Sequence, residues 1–453
     1  MRRTGLLVVL ALVAGCSGAV PGAPVRLDVG PADAAADVPV RIAVSGLDPG
    51  SEVVLWTRRV DGAGPAWLAR AAFTADPAGR VDVPRAAPGS GTYSGVDGMG
   101  LFWSARPADG AVPESPFPPV EDALVTVTAQ VGGTTAATAT VLRRTGVPGV
   151  VEEPAGGGAV GVLHHPPGPG PHPGVVVLSG SEGGVPDYGV GELLASHGFA
   201  ALSLGYFGAP GLPSELVRVP LETVGSAVDG LTARPDVADG PVGVVGVSRG
   251  GELALLAGAT FPQVGAVVSY NGSGFGGMGL PASGFGAAVP AWTLGGRDVP
   301  FLVPAVDAAA ATAGGLVPFL LGAPLPDLAG TWADVERAGP DALVAAEIPV
   351  ERIAGPVLLL SGADDRLWPS PEMADAVLRR LETRGHPFPH EHLSFPGAGH
   401  FFSGPPYGGP FPTVLRSGWG MADFGGTPEG NAAAAAASWP RVLDTLRAGS
   451  VAR

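Results

Sequence analysis

The chain has 453 residues, of which 46% are hydrophobic and only 15% are charged, so it can form two hydrophobic cores and does not have a disordered composition. Its formal net charge of -15 at pH 7 argues against nucleic acid as a partner, because an acidic surface repels phosphate backbones. The 73 glycines and 49 prolines favour many turns and short strands over a long helical bundle.

The chain begins MRRTGLLVVLALVAGC, which has the parts of an export signal. Two arginines precede an apolar run that is too short to span a bilayer, and small residues precede Cys16, the only cysteine. These residues resemble the bacterial lipobox and predict a signal peptide over 1–15 and a lipidated, Pro/Gly-rich tether over 16–24. The expected location is the outer face of the cell membrane, with a lipid anchor at Cys16. The alternative is an ordinary signal peptide with an incidental cysteine, which also predicts export.

Short strands with alternating apolar residues dominate the next part of the chain. They lie at 38–47, 51–60, 66–75 and 123–131, and turn sequences such as DPG and DPAG separate them. This spacing predicts an all-β, immunoglobulin-like sandwich over 25–146.

From about residue 150 the pattern changes to apolar strands that alternate with helix-sized segments. Continuous runs such as VVVL and VLLL are typical of parallel strands that are buried on both faces. The alternation predicts a mostly parallel, doubly wound α/β sheet over 150–453. A Gly-, Ala- and Pro-rich stretch interrupts it at 274–345, and we expect this stretch to form a cap over the carboxyl edge of the sheet.

A candidate nucleophile lies in the G-x-S-x-G sequence GVSRG, at Ser248. The bare pattern is weak in a glycine-rich chain, but here an apolar strand precedes it and an apolar helical segment follows it, as a nucleophile elbow requires. The backbone N–H groups of Arg249 and of the loop that starts at Ser181 are the expected oxyanion donors. The alternative is a glycine-rich strand–helix turn without chemistry.

The candidate acid and base follow in the order that an α/β-hydrolase uses. The acid lies in SGADD, directly after the strand VLLL, where Asp365 is the preferred residue and Asp364 is the alternative. The base is His400, at the end of SFPGAGH, after another strand. All three segments follow the carboxyl ends of strands, where open α/β sheets bind ligands.

Aromatic residues near these segments are candidates to line an acyl pocket, although packing in the core is an equal alternative. They are Tyr206, Trp368 and Phe401. Three histidines lie in a proline-rich turn: His164, His165 and His172. We predict no metal there, because no carboxylate or cysteine accompanies them in the sequence. No cofactor motif is found either.

Several segments resemble one family over roughly residues 25–447. The segments are GTYSGVDGMGLFWSARP, RPDVADGPVGVVGVSRGGELAL, SYNGS, GADDRLWPS, FPGAGHFFSGPPY and GGTPEGNAAAAAASWPRVLDTLR. In this order they resemble the acyl-CoA thioesterase and bile-acid-CoA:amino-acid N-acyltransferase family.

The resemblance implies an immunoglobulin-like domain followed by an α/β-hydrolase domain, with Ser248, Asp365 and His400 as a catalytic triad. It implies hydrolysis of a small acyl thioester or ester through an acyl-enzyme. Family members that transfer acyl groups to amino acids carry cysteine at the nucleophile, so the serine favours hydrolysis. The alternatives are acyl transfer to an amine or alcohol, an exported esterase or lactone hydrolase unrelated to CoA, and a surface binding lipoprotein without activity.

Overall fold

The computed structural model describes residues 24–60, 66–114, 122–186, 189–281, 288–303, 339–417 and 420–450. The predicted signal peptide and Cys16 lie outside these ranges. None of the helices within them combines the length and the apolar character that a membrane crossing requires.

The first part of the described chain consists almost entirely of antiparallel strands. They are β1 (Arg26–Gly30), β2 (Asp33–Ala35), β3 (Arg41–Ser45), β4 (Glu52–Val60), β5 (Ala66–Thr74), β6 (Arg80–Asp82), β7 (Ser90–Gly91), β8 (Arg106–Pro107), β9 (Ala123–Val131) and β10 (Thr134–Arg144). They form a 3-stranded sheet, β1-β3-β6, and a 7-stranded sheet in which β2-β10-β9-β4-β5-β7 are neighbours and β8 pairs with β5. A single helical turn, α1 (Gly100–Trp103), packs on this part.

Alternating burial explains why these segments form strands. In β4 the buried and more exposed residues alternate along the whole strand, because successive side chains point to opposite faces of a sheet. The inward side chains of both sheets meet in one core that contains Ile42, Leu55, Phe73 and Val127. This core supports the all-β part.

The second part of the chain is built on an 8-stranded sheet in the order β11-β12-β14-β13-β16-β17-β20-β21. The strands are β11 (Val151–Pro154), β12 (Gly161–His165), β13 (Gly174–Leu178), β14 (Ala200–Leu204), β16 (Val242–Val247), β17 (Val264–Tyr270), β20 (Val357–Gly362) and β21 (His390–Phe395). The pairs β11–β12 and β12–β14 are antiparallel, and all later pairs are parallel. The sheet is therefore mixed, with a parallel centre.

Helices cover both faces of this sheet. The helices of this part are α2 (Val190–Ser196), α3 (Glu222–Thr232), α4 (Arg249–Thr260), α5 (Pro340–Ala346), α6 (Ser370–Thr383) and α7 (Pro428–Gly449). Apolar residues of α3, α4 and α6 pack on one face, whereas those of α2 and α7 pack on the other. Because both faces are covered, every residue of β13, β16, β17 and β20 is buried.

The predicted cap at 274–345 is described only in part, since 282–287 and 304–338 lie outside the described residues. Shorter strands lie outside the main sheet: β15 (Val219–Pro220), β18 (Trp292–Leu294), β19 (Arg297–Asp298), β22 (Val414–Ser417) and β23 (Gly420–Asp423). β18 pairs with β15 and with β19, which gives a 3-stranded sheet. The described portion thus has regular structure of its own beside the main sheet.

Buried polar contacts join the two parts of the chain. The Asp37 carboxylate lies against the imidazole of His197 at the end of α2, and it accepts a hydrogen bond from Trp439 Nε1 of α7 at 3.1 Å. Arg143 Nη2 donates to the carbonyl of Tyr407 at 3.2 Å. Burial raises the pKa of Asp37, but the hydrogen bond and the charge of His197 outweigh burial and hold that pKa below its ordinary value of 3.8.

We expect Asp37→Ala to lower the free energy of unfolding by about 1.5–3 kcal/mol, because it removes the acceptor of a charge-assisted hydrogen bond. A depressed carboxyl pKa stabilises the fold fully above the unfolded-state pKa, and this contribution is lost as the pH falls through the folded-state value. The difference between wild type and variant in urea unfolding should therefore shrink below a pH of about 4. Asp33→Ala, which removes an exposed ion pair with Arg144, is the matched control with a smaller effect. An equal loss in both variants would contradict the prediction.

Candidate active site

Ser248 lies on a sharp turn between β16 and α4. Its backbone has φ 56° and ψ -120°, a conformation that side-chain-bearing residues rarely adopt and that costs on the order of 1–3 kcal/mol. Its N–H donates to the carbonyl of Tyr270 at 2.8 Å, which ties the turn to the neighbouring strand β17. The turn places Ser248 at the carboxyl edge of the sheet and at the N-terminus of a 12-residue helix.

The two glycines of the G-x-S-x-G sequence allow this turn for steric reasons. A Cβ at Gly246 would lie 2.0 Å from the carbonyl oxygen of Gly250, and a Cβ at Gly250 would lie 2.1 Å from that of Ser179. Both distances are far inside van der Waals contact. Only glycine therefore lets α4 approach β16 and β13 this closely.

His400 and Asp365 lie together at the same edge of the sheet. The imidazole Nδ1 of His400 is 2.7 Å from Oδ2 of Asp365, and both side chains are fully buried. The other ring nitrogen, Nε2, has no hydrogen-bond partner among the described residues. The ring is thus oriented through one nitrogen, and the other nitrogen is left for a further partner.

The carboxylate of Asp365 accepts several hydrogen bonds besides the one from His400. The backbone N–H groups of Leu367 and Trp368 donate to Oδ1 at 2.8 and 3.3 Å, and the hydroxyl of Ser370 donates to Oδ2. These donors fix the orientation of the carboxyl group. Asp364, the alternative acid, is exposed, and its backbone N–H and carbonyl bond to Ala398 and Gly426. The structure therefore brings Asp365, and not Asp364, to the histidine.

A buried asparagine connects the strands that carry these residues. Asn271 follows β17, and its amide Nδ2 donates to the carbonyl of His400 at 2.7 Å while its Oδ1 accepts from the N–H of Gly362 at 2.9 Å. A second buried amide, Asn431 of α7, accepts from the N–H of Gly399 at 2.8 Å. The histidine loop is thus held by two side-chain amides.

Comparison with known proteins bears on this arrangement. Residues 37–154 match a family described as the acyl-CoA thioester hydrolase/BAAT N-terminal region, and residues 219–280 and 336–448 match its C-terminal counterpart. Mouse mitochondrial acyl-coenzyme A thioesterase 2 is 31% identical over 420 residues, which cover 90% of this chain and 85% of that protein. The chain belongs to the acyl-CoA thioester hydrolase/BAAT family. The family resemblance of the sequence segments is confirmed, and the protein is an enzyme of the thioester hydrolase class.

Other members of this family are similarly close. Human acyl-coenzyme A thioesterase 1 is 31% identical over 90% of this chain and 92% of its own length. The mouse peroxisomal succinyl-coenzyme A thioesterase is 29% identical over 90% of this chain and 92% of its own length. Among solved structures, a dienelactone hydrolase-like promiscuous phosphotriesterase from metagenomic libraries has 21% identity and a TM-score of 0.38, and it covers 67% of this chain and 98% of that one.

The aromatic residues predicted for an acyl pocket occupy different environments. Tyr206 has no exposed surface, and its hydroxyl donates to the carbonyls of Ser179 and Gly180 at 2.8 and 2.7 Å. It is therefore a core residue that holds the end of β13, and it has no surface with which to line a pocket. Trp368 is buried, and its ring packs edge-on against that of His400, with the centroids 5.5 Å apart. Phe401 is half-buried, and its ring also contacts the imidazole.

The predicted oxyanion loop directly follows β13. The side chain of Ser248 lies against Gly180: a Cβ added to this glycine would be only 3.3 Å from the Cβ of Ser248. Ser181, the next residue, is exposed at the start of the loop. Arg249, directly after Ser248, is the first residue of α4. One predicted donor thus adjoins Ser248 in the chain, and the other adjoins the glycine against which Ser248 lies.

The side chain of Arg249 has a role that the sequence analysis did not predict. Its Nη1 lies 2.6 Å from Oε2 of Glu252, and its Nη2 donates to the carbonyl of Met278 at 2.9 Å. Glu252 also accepts from the N–H of Gly277 at 2.7 Å and from Trp292 Nε1 at 2.5 Å. This buried pair fastens the described part of the cap to the first turn of α4. Arg249 and Glu252 are three residues apart on α4, but the groups that bond to them lie 25 or more residues further along the chain, so the sequence gives no local sign of this cluster.

The structure also brings carboxylates to a histidine for which no metal was predicted. Because β11 and β12 are antiparallel, Glu152 lies opposite His164, and Glu192 of α2 approaches the same ring. One potential ligand atom from each of the three side chains lies within 4.8 Å of the others. The reason given for excluding a metal, the lack of an accompanying carboxylate, is therefore wrong at His164.

We expect Asn271→Ala to lower both kcat and stability, because it leaves the carbonyl of His400 and the N–H of Gly362 without their buried partner. The free energy of unfolding should fall by about 2–4 kcal/mol, as for two lost buried hydrogen bonds. Asn271→Gly is the matched variant, since glycine relieves the strain of the φ of 47° while the same bonds stay lost. Both variants should lose turnover, with Asn271→Gly the more stable in urea. Unchanged kcat in both would show that Asn271 does not position His400.

Proposed function

We propose that the protein hydrolyses acyl-CoA thioesters by nucleophilic catalysis, with Ser248 as nucleophile, His400 as base and Asp365 as the acid that orients it. The observation that carries the proposal is the His400–Asp365 pair. It is buried, it has an Nδ1 to Oδ2 distance of 2.7 Å, and it leaves the Nε2 of His400 unpartnered among the described residues at the edge where Ser248 lies. Family membership supports the choice of an acyl-CoA thioester as the substrate.

In the first half of the reaction, the Ser248 hydroxyl attacks the thioester carbonyl carbon and its proton passes to Nε2 of His400. The carbonyl oxygen gains negative charge, which the backbone N–H groups of Arg249 and of the loop at Ser181 stabilise, together with the N-terminus of α4. The carbon–sulfur bond then breaks, the thiolate leaves with the proton from His400, and the acyl group stays on Ser248 as an ester.

In the second half, a water molecule gives a proton to His400 and its oxygen attacks the ester carbonyl. The carbon–Oγ bond breaks, Ser248 recovers its proton from His400, and the carboxylic acid is released. Asp365 keeps its charge throughout, since it stabilises the imidazolium electrostatically and fixes the ring orientation.

We expect Ser248→Ala to lower kcat/KM for acyl-CoA substrates by roughly 10⁴-fold or more, because a triad acts as a unit. The assay measures free thiol released from acyl-CoAs of several chain lengths, with aryl esters in parallel and an added amine or alcohol to detect acyl transfer. A fluorophosphonate should label wild type and not the variant. Ser394→Ala, on the exposed side of β21, is the control that keeps activity. Hydrolysis retained in Ser248→Ala would rule out Ser248 as the nucleophile. Turnover of aryl esters without turnover of acyl-CoAs would show that the substrates are esters and not acyl-CoA thioesters.

We also propose that the enzyme is exported and anchored through a lipid on Cys16, on the basis of the sequence around that residue. In a bacterial host, wild type should fractionate with membranes and incorporate a labelled fatty acid. Cys16→Ala should lose the label and accumulate unprocessed or in the soluble fraction, whereas turnover by detergent-solubilised enzyme should be unchanged. Soluble, unlabelled wild type would contradict the proposal.

A further inference from the structure

Glu182 lies in the predicted oxyanion loop, and its carboxylate turns back towards the nucleophile. Its Oε1 accepts a hydrogen bond from the N–H of Gly180 at 3.0 Å. A Cβ at Gly180 would lie 2.7 Å from Oε2 of Glu182 and 3.3 Å from the Cβ of Ser248. The carboxylate and the nucleophile therefore flank the same glycine.

The surroundings of this carboxylate combine access from solvent with crowding by protein. Glu182 is exposed, so a molecule that approaches Ser248 can contact it. Desolvation by the surrounding protein raises the pKa of this carboxyl group, and hydrogen bonds from backbone N–H groups, including that of Gly180, oppose the shift. Tyr206 also interacts electrostatically with Glu182. A charged group that protein partly surrounds acts on a substrate more strongly than one on the open surface.

We propose that Glu182 is a specificity-determining residue that selects neutral acyl groups and rejects acyl groups that carry a carboxylate close to the reacting carbonyl. This inference rests on the proposed function. An acyl carbonyl that Ser248 can attack must lie beside Gly180, which brings the first carbons of the acyl chain next to the Glu182 carboxylate. A second carboxylate there is repelled, whereas an alkyl chain is not.

Two pairs of substrates isolate this effect. Butyryl-CoA and succinyl-CoA have acyl chains of equal length that differ in a terminal carboxylate, and so do hexanoyl-CoA and adipoyl-CoA. The measured quantity is the ratio of kcat/KM for the neutral member to that for the anionic member, at one fixed, mildly alkaline pH. The ratio cancels effects on the nucleophile, on His400 and on the binding of CoA.

The conservative variant Glu182→Gln removes the charge and keeps an oxygen that can accept from the Gly180 N–H. We expect it to lower the butyryl/succinyl ratio by about tenfold, as for the loss of one close like-charge repulsion in a partly solvated site. The shift should be smaller for the longer pair, because the adipoyl carboxylate lies farther from the carbonyl. Glu182→Ala, which also removes the hydrogen bond, should shift the ratio in the same direction. Glu382→Gln, an exposed residue near the far end of α6, should keep the wild-type ratio.

The outcomes separate this inference from the proposed function. If wild type hydrolyses none of the four CoA esters while it reacts with aryl esters, the substrate class is wrong. If wild type hydrolyses them and Glu182→Gln lowers all four rates equally, with unchanged ratios, Glu182 has only a structural role and the inference is overturned. Equal rates of wild type on both members of each pair would also overturn it.

Discussion

The close approach of α4 to the central strands is the constraint on which the rest of the site depends. Gly246 and Gly250 have no room for a side chain, since a Cβ would lie 2.0 Å and 2.1 Å from backbone oxygens. This packing holds Ser248 at a positive φ, with the backbone N–H groups of the helix start beside it. Ser248, the first turn of α4 and the end of β13 are thus packed closely together, and the conformational energy stored at Ser248 is offset by buried helix–sheet contacts.

Buried polar side chains fix the positions of the loops near Ser248 and His400 by hydrogen bonds to their backbone groups. Asn271 and Asn431 bond to the backbone of the His400 loop, and the hydroxyl of Tyr206 donates to the two carbonyls that directly follow β13. Each of them satisfies backbone groups that strand ends leave unpaired. These side chains fix the backbone around the proposed triad, so the loss of one of them would displace the proposed catalytic groups without removing any of them.

Much of this could be predicted from the sequence, and the misses have physical reasons. The apolar strands and the order of Ser248, Asp365 and His400 are visible because burial on both faces and strand-end loops leave a local pattern. β10 was not predicted, since its threonines are exposed and its alanines are exposed or only partly buried, so the strand has no strong apolar alternation. The approach of Glu152 to His164 depends on strand register, and the core position of Tyr206 depends on helix packing. Neither contact can be predicted from the residues that are adjacent in the sequence.

Residues that follow His400 in the chain pack into the core of the all-β part, so the two parts cannot be separated cleanly. Phe411, Ala432 and Ala435 belong to the α/β part in sequence, yet their side chains complete the core of the all-β part. Tyr407 also bonds through its N–H to the carbonyl of Ala36 at 2.8 Å. A shortened gene that started at β11 would encode a product with an uncovered apolar face next to the histidine loop, prone to aggregation. The all-β part therefore shares its core with the α/β part, unlike an accessory module that could be exchanged.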